Sequence, residues 1–213
     1  MIPGWENKWV HYNRPAIIKQ LLTSLVLLHN SCNIDYPISV GLIKPVEEAR
    51  LFTALLSREE RLIHAARERL SLSFGPVDFV SEISPWAHTR YYKKEMGTGL
   101  KRQFLFFERH ILPDTLSNIK NMTNDLEADF RTSADAVMPG RTVNIDPGYL
   151  TLAKVVLAST KNYCHRIYIG NGIYAEVTLY YRDKSYQSLP HTYPDYGSRE
   201  YIDMFNRVRE EVL

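Results

Sequence analysis

HRIYIGNGIYAEVTLYY, at residues 165–181, is the stretch whose local structure is clearest from the sequence. Two runs rich in β-branched and aromatic residues flank Asn171-Gly172. Asn-Gly is the strongest short signal for a hairpin, because a type I′ turn requires positive φ at both central residues. A second polar turn follows at residues 182–185. The stretch therefore predicts an antiparallel β-meander near the C-terminus.

The register of this hairpin decides which side chains meet across it. A tight two-residue turn pairs Gly170 with Ile173, and the regular ladder then pairs Ile167 with Glu176. Successive side chains of a strand point to opposite faces of the sheet. The register therefore predicts which charged residues of the hairpin share a face.

On that register, His165 and Glu176 share one face of the sheet and Arg166 lies on the other. A carboxylate beside an imidazole orients it and raises its basicity, as general acid–base catalysis needs. The alternative is a weak ion pair on a solvated sheet face. Arg166 can join the pair only if the strand carries a bulge.

Strands and helices alternate in the sequence before and after the hairpin. The patterns predict strands at 51–56, 77–83, 104–108 and 142–145. The first helix has a Ser57/Glu60 capping box and ends at Gly75-Pro76. A second helix runs from Pro113 to Phe130, and Ser198 caps the last helix. With the late meander, this order indicates an α+β fold, a two-layer sandwich with a ferredoxin-like core.

The segment after residue 145 has two interpretations. Asp146-Pro147 can cap and begin a helix that runs through Ala158. The apolar run from Leu150 to Leu157 also fits a buried strand. We interpret Asp146 as a helix cap in preference to a catalytic base or a metal ligand.

Composition describes an ordinary globular protein of 213 residues. The chain has 26 Lys+Arg against 24 Asp+Glu, so its bulk charge points neither to nucleic acid nor to a membrane. Cys32 and Cys164 are too few for a disulfide framework or a metal cage, which favours a cytoplasmic location. Residues 1–38 form an N-terminal extension, either an accessory helix or an over-long start, and residues 39–213 form one α+β domain.

Two basic segments are candidate sites for phosphate, because cations and hydroxyls bind its oxygens and exposed rings stack on bases. The first lies among Trp86, Tyr91 and Tyr92 and contains Arg90, Lys93, Lys94, Lys101 and Arg102. The second contains Ser159, Thr160, Lys161 and Arg166. A solvated loop and a polar turn are the structural alternatives. The aromatic run at 189–197 either lines a ligand cleft or covers the core.

These residues support three hypotheses about function. The first is a binding protein for a phosphate-bearing ligand, either a nucleotide or RNA. The second is a phosphoester hydrolase or transferase that uses His165 and Glu176. The third is a structural or assembly protein, for example a homo-oligomer, that docks through its N-terminal extension. The sequence has no zinc-site spacing and no phosphate-binding P-loop, so we predict no metal and no cofactor.

Seven segments together resemble a known family. They are FGPVDF (74–79), YYKKEMG (91–97), VNIDPGYL (143–150), LASTK (157–161), HRIY (165–168), GIYAEVTL (172–179) and YPDY (193–196). The chain resembles the prokaryotic family called domain of unknown function 4416, over about residues 40–213. The resemblance implies a prokaryotic source and assigns no catalytic residue to any of these positions.

Overall fold

The computed structural model describes residues 43–88, 92–133 and 140–212, and the fold lies within the unit Pro45–Leu213. The predicted N-terminal extension, residues 1–38, lies outside the described residues, and so does Arg90. Among the helices that are described, none has the length and apolar character needed to cross a membrane.

Mixed α+β architecture is present, as the sequence predicts, with nine antiparallel strands in the described part of the chain. The strands are β1 (Ala49–Ser57), β2 (Val77–Val80), β3 (Ser84–Trp86), β4 (Leu100–Ile111), β5 (Val143–Leu150), β6 (Lys154–Ser159), β7 (Ile167–Gly170), β8 (Ile173–Arg182) and β9 (Ser185–Ser188). The helices are α1 (Glu60–Phe74), α2 (Lys93–Met96), α3 (Leu116–Ser133) and α4 (Arg199–Val212). The strand order is β2-β4-β1-β5-β6-β8-β7, with β3 on β4 and β9 on β8.

The two faces of β1 carry separate cores. Leu51 and Leu55 pack against α1 and α3. Phe52 and Ala54 point to the other face and belong to the core that contains α4. A strand that is apolar at every position must be covered on both faces. Helices therefore lie on each side of β1, and this part of the fold has a third layer beyond the two that were predicted.

The ends of α1 show one correct and one incorrect prediction. Gly75 ends the helix with a φ of +97°, in the left-handed region that favours glycine. Ser57 does not cap the helix, because it is the last residue of β1 and its hydroxyl donates to the carbonyl of Thr142 at 2.8 Å. Glu59 occupies the N-cap position without a side-chain cap. Ser57 therefore belongs to the sheet, and the capping box predicted from Ser57 and Glu60 does not form.

The helix predicted from Asp146-Pro147 is wrong, because this segment is the middle of β5. β5 pairs with β1 on one side and β6 on the other, and burial between two strands outweighs the local capping signal. Gly148 fits this position because a Cβ there would collide with the backbone carbonyl oxygen of Val156 and lie 2.6 Å from Cζ of Phe52. The interpretation as a buried strand is correct in type, although a turn at 151–153 divides the run into β5 and β6.

The predicted meander is present. Asn171 and Gly172 have φ values of +53° and +76°, as the type I′ interpretation requires. A second turn at Asp183-Lys184, with φ values of +52° and +65°, joins β8 to β9. The final helix also forms as predicted, with Ser198 at its start and Phe205 fully buried.

The register of the hairpin differs from the regular ladder by one residue. Gly170 pairs with Ile173 as predicted, but β7 carries a bulge just before Gly170. Ile167 therefore lies opposite Ala175 and not opposite Glu176. A one-residue slip exchanges the two faces of a strand, so the predicted division of side chains between faces is wrong for β7.

Candidate functional site

A cavity of about 460 Å³ lies where β3, β4, β5, β6 and β8 meet α3 and the loop at 193–196. This volume is in the range of small-molecule sites. Its charged lining consists of Arg102, Lys120, Arg141, Lys161 and Arg166 with Asp146, Glu176 and Asp195. Its rings are those of Trp86, His88, Tyr92, Tyr163, Tyr193 and Tyr196. The cavity is therefore both cationic and aromatic.

The two predicted basic segments meet at this cavity, although they contribute unequally. The predicted residues that line it are Arg102, Ser159, Thr160, Lys161 and Arg166. Lys93 and Lys94 are exposed on α2, outside the lining. Lys101 is also outside it and forms an ion pair with Glu60 at 2.5 Å. Adjacent residues of β4 point to opposite faces, which is why Lys101 and Arg102 separate.

Arg166 is held by hydrogen bonds from all three of its guanidinium nitrogens. Nε donates to Glu176 at 2.7 Å, and Nη2 donates to the Tyr193 hydroxyl at 2.5 Å. Nη1 donates to Oγ of Ser159 at 2.8 Å and to the carbonyl of Lys161 at 3.0 Å. Burial acts to lower the pKa of Arg166, but the hydrogen bond to Glu176 and neighbouring groups raise it overall. The guanidinium is therefore fixed and charged.

The predicted partners His165 and Glu176 are in contact, with Nε2 2.9 Å from Oε2. The bulge in β7 brings Arg166 to the same carboxylate, which is the one condition under which the predicted register allowed Arg166 to join this pair. The His165 ring stacks on His191 with centroids 4.4 Å apart and lies outside the cavity lining. The side chain of Glu176 is only 1% exposed. Glu176 therefore lines the cavity, whereas His165 contacts it from outside the lining.

Arg102 lies in a different wall of the cavity and makes fewer hydrogen bonds than Arg166. Its side chain is 3% exposed, and Nη2 donates to Asp195 at 3.4 Å. Nη1 lies 3.9 Å from Asp146, too far for a hydrogen bond. Within the described residues, Nε and Nη1 of Arg102 and the hydroxyl of Tyr196 are buried without hydrogen-bond partners. Trp86 donates to Asp195 at 2.9 Å, and its ring lies 5.3 Å from the Arg102 guanidinium.

Arg141 is a lining residue that the sequence analysis missed. Its Nε and Nη2 donate to the two oxygens of Glu95 at 2.6 and 3.0 Å. Its Nη1 donates to Glu127 at 3.0 Å and to Asn144 at 2.7 Å. The hydrogen bond from Arg141 lowers the pKa of Glu95. No local pattern marks Arg141, because its partners come from three separate elements.

Lys120 and Glu127 are two buried polar residues of α3 that were also missed. Lys120 donates to the carbonyl of Ile145 at 2.8 Å, with Nζ 3.8 Å from Oε1 of Glu127. Burial raises the pKa of Glu127, although Lys120 acts in the opposite direction. A signal existed in the sequence, since both residues interrupt the apolar stripe of the helix beside Ile119 and Leu126.

Asp146, predicted to be a helix cap, instead lies in β5 and points into the cavity. Its Oδ2 accepts a hydrogen bond from Nδ2 of Asn144 at 2.7 Å. Lys120 is 3.6 Å from its Oδ1. Its side chain is 27% exposed, whereas those of Asp195 and Glu176 are almost fully buried. Asp146 is thus the most accessible carboxylate of the lining.

The aromatic run at 189–197 contributes Tyr193, Pro194 and Tyr196 to the lining. Burial, helped by the charge of Glu176, raises the pKa of Tyr193 to about 12, so its hydroxyl stays protonated near neutral pH. Tyr196 also packs into the core around α4. The run at 189–197 therefore both lines the cavity and covers the core, the two roles that the sequence left open. No group of metal-ligating side chains large enough to hold an ion occurs in the described residues.

Comparison with known proteins identifies a family and no activity. The family model described as Domain of unknown function (DUF4416) matches residues 47–211. No curated protein and no solved structure matches the chain. Any activity must therefore be inferred from the cavity itself.

Proposed function

We propose that this chain, which belongs to the Domain of unknown function (DUF4416) family, binds a small phosphate-bearing ligand of the nucleotide class. One observation carries the proposal: cations from segments far apart in the sequence line a single cavity with aromatic walls. Five lysines and arginines against three carboxylates leave this lining with a positive formal charge. An anion gains most from such charges where water is partly excluded.

The phosphate belongs at the end formed by Ser159, Thr160 and Lys161. All three residues line the cavity, and Oγ of Ser159 accepts a hydrogen bond from the rigid guanidinium of Arg166. An arginine has five N–H groups, and the four hydrogen bonds of Arg166 leave one Nη2 hydrogen with no acceptor in the described residues. Charge-assisted hydrogen bonds of this kind are strong and directional. Because the guanidinium of Arg166 is already held by four hydrogen bonds, it loses little order when a ligand binds.

A base belongs against the rings on the other side of the cavity. Trp86 and Tyr92 are in edge-to-face contact, with centroids 5.5 Å apart. Aromatic faces stack on nucleobases without requiring a particular sequence. The cations that come together from distant segments line a cavity of about 460 Å³, which is the size of a small-molecule site. We therefore favour a nucleotide over RNA.

Titration calorimetry with nucleoside monophosphates and a short RNA tests the proposal. Lys161→Met should weaken binding of the nucleotide about tenfold or more. Lys94→Met makes the same charge change outside the lining and should leave the affinity unchanged. Failure of the wild-type protein to bind any nucleoside phosphate contradicts the proposal. Equal losses in both variants, together with tighter binding of RNA and a steep salt dependence, would favour RNA at the surface.

We also propose a ferredoxin-like core for the half of the sheet with the order β2-β4-β1-β5. Two features support it: all neighbouring strands are antiparallel, and α1 and α3 each connect two of these strands and pack in the same core cluster. Solving the structure of residues 45–213 experimentally and superposing this half on ferredoxin-like domains tests this assignment.

A further inference from the structure

The two ends of the cavity differ in local charge. At one end, Lys161 and Arg166 line the cavity with the carboxylate of Glu176. At the other end, Arg102 and Lys120 lie 3.9 and 3.6 Å from Asp146, and Arg102 also contacts Asp195. The first end therefore attracts an anion, whereas the charges of the second end balance. A phosphate-bearing ligand is therefore oriented in the cavity by these charges.

Asp146 has unused capacity to accept hydrogen bonds. A carboxylate has about four acceptor positions, and among the described residues only Nδ2 of Asn144 donates to this one. Its cationic neighbours, at 3.6 and 3.9 Å, are beyond hydrogen-bond distance. Glu176, by contrast, accepts from two side chains within 2.9 Å. Asp146 is thus available to donors that come from a ligand.

The wall beside Asp146 also lacks acceptors. Nε and Nη1 of Arg102 and the hydroxyl of Tyr196 are buried without partners among the described residues, and both residues line the cavity. Burying a donor without an acceptor costs free energy. A ligand group that both donates and accepts, such as a hydroxyl or an amino-substituted ring, would suit this wall better than a bare anion.

We propose that Asp146 recognises a hydrogen-bond donor at the end of the ligand remote from its phosphate. This inference rests on the proposed function and narrows it. The ligand is a nucleoside monophosphate whose base amino group or ribose hydroxyls donate to Asp146, while its phosphate lies at Ser159–Lys161. The two possible donors share the same chemistry, and ligand analogues distinguish them.

Asp146→Asn gives opposite results for the two roles that a carboxylate can have here. If Asp146 acts only as a negative charge, its removal should tighten binding of adenosine monophosphate and of inorganic phosphate alike. If it accepts a ligand donor, binding of adenosine monophosphate should weaken about tenfold relative to inorganic phosphate. Asp203→Asn, on the exposed face of α4, is the matched control and should change neither affinity.

Ligand analogues test the same contact without altering the protein. Purine riboside monophosphate lacks the amino group, and the dideoxy analogue lacks the ribose hydroxyls. One of them should bind the wild-type protein about tenfold more weakly than adenosine monophosphate, and that loss should vanish in Asp146→Asn. Equal binding of all three nucleotides, or parallel tightening in the variant, overturns the role of Asp146 while the proposed function stands. Absence of binding by phosphate and by every nucleotide overturns both.

Discussion

Glu176→Gln should destabilise the protein far more than removal of a surface ion pair. The side chains of Arg166 and Glu176 are each 1% exposed, and the Nε to Oε2 distance is 2.7 Å. Removing one partner leaves the other charge buried and uncompensated, which costs about 3–5 kcal/mol. Glutamine keeps the shape and one acceptor oxygen, so we expect about 3 kcal/mol, at the lower end of that range.

Urea unfolding and thermal melting near neutral pH measure this cost. For a domain of this size, a loss of about 3 kcal/mol lowers Tm by about 6–12 °C. The double variant Arg166→Met/Glu176→Gln should lose less than the two single variants together, with a coupling of about 2 kcal/mol, because neither partner is then left alone.

The ion pair of Lys101 with Glu60 is the matched control, since these side chains are 37% and 52% exposed. The corresponding cycle, with Lys101→Met and Glu60→Gln, should give a coupling below about 1 kcal/mol. If the coupling of Arg166 with Glu176 were as small as that of the surface pair, the pair would not be the rigid support of the cavity that we infer. An unchanged urea m-value is needed for the comparison, because a change in m indicates an altered unfolded or native state.

Three further predictions test the fold, the ion pairs and the catalytic alternative. Gly148→Ala should cost about 1–3 kcal/mol in urea unfolding, because its Cβ would collide with the backbone carbonyl oxygen of Val156 and lie 2.6 Å from Cζ of Phe52. Gly197→Ala, with its nearest contact at 3.6 Å, should be near neutral. Because Arg141 holds the pKa of Glu95 below its ordinary value of 4.5, Glu95 stabilises the fold above that value, and this contribution is lost as the pH falls through its folded pKa. The free energies of unfolding of the wild-type protein and Glu95→Gln should therefore differ near neutral pH and converge in acid. A difference that persisted in acid would show that the ion pair of Glu95 with Arg141 is not its cause. His165→Asn should leave nucleotide affinity unchanged in calorimetry, since the ring lies outside the lining, and a measured phosphate release that this variant abolished would instead support the phosphoester hydrolase.

Local patterns in the sequence predicted the features that depend on neighbouring residues. Asn171-Gly172 marks its turn because the backbone conformation is a property of those two residues, and Gly75 ends α1 for the same reason. Ser159, Thr160 and Lys161 were identified because three donors adjoin in the chain. The helix predicted from Asp146-Pro147 is wrong because a local capping signal stabilises less than burial between two strands does.

The cations that were missed depend on contacts that no local pattern encodes. Arg141 reaches Glu95, Glu127 and Asn144 on three separate elements, so its position follows only from the complete fold. Lys120 is detectable in principle, because a lysine within the apolar stripe of a helix requires a buried partner. That signal indicates a partner without identifying it, and here the partner is the carbonyl of Ile145 on β5.

The bulge in β7 explains why Arg166 lies beside Glu176, although a regular register would place the two residues on opposite faces. On a regular ladder, Arg166 and Glu176 lie on opposite faces of the sheet and cannot form an ion pair. One bulged residue before Gly170 exchanges the faces of the preceding part of β7. Arg166 then points toward Glu176 and Ser159, while Ile167 becomes 74% exposed. The positive end of the cavity thus depends on a shift of one residue in a strand whose turn is otherwise regular.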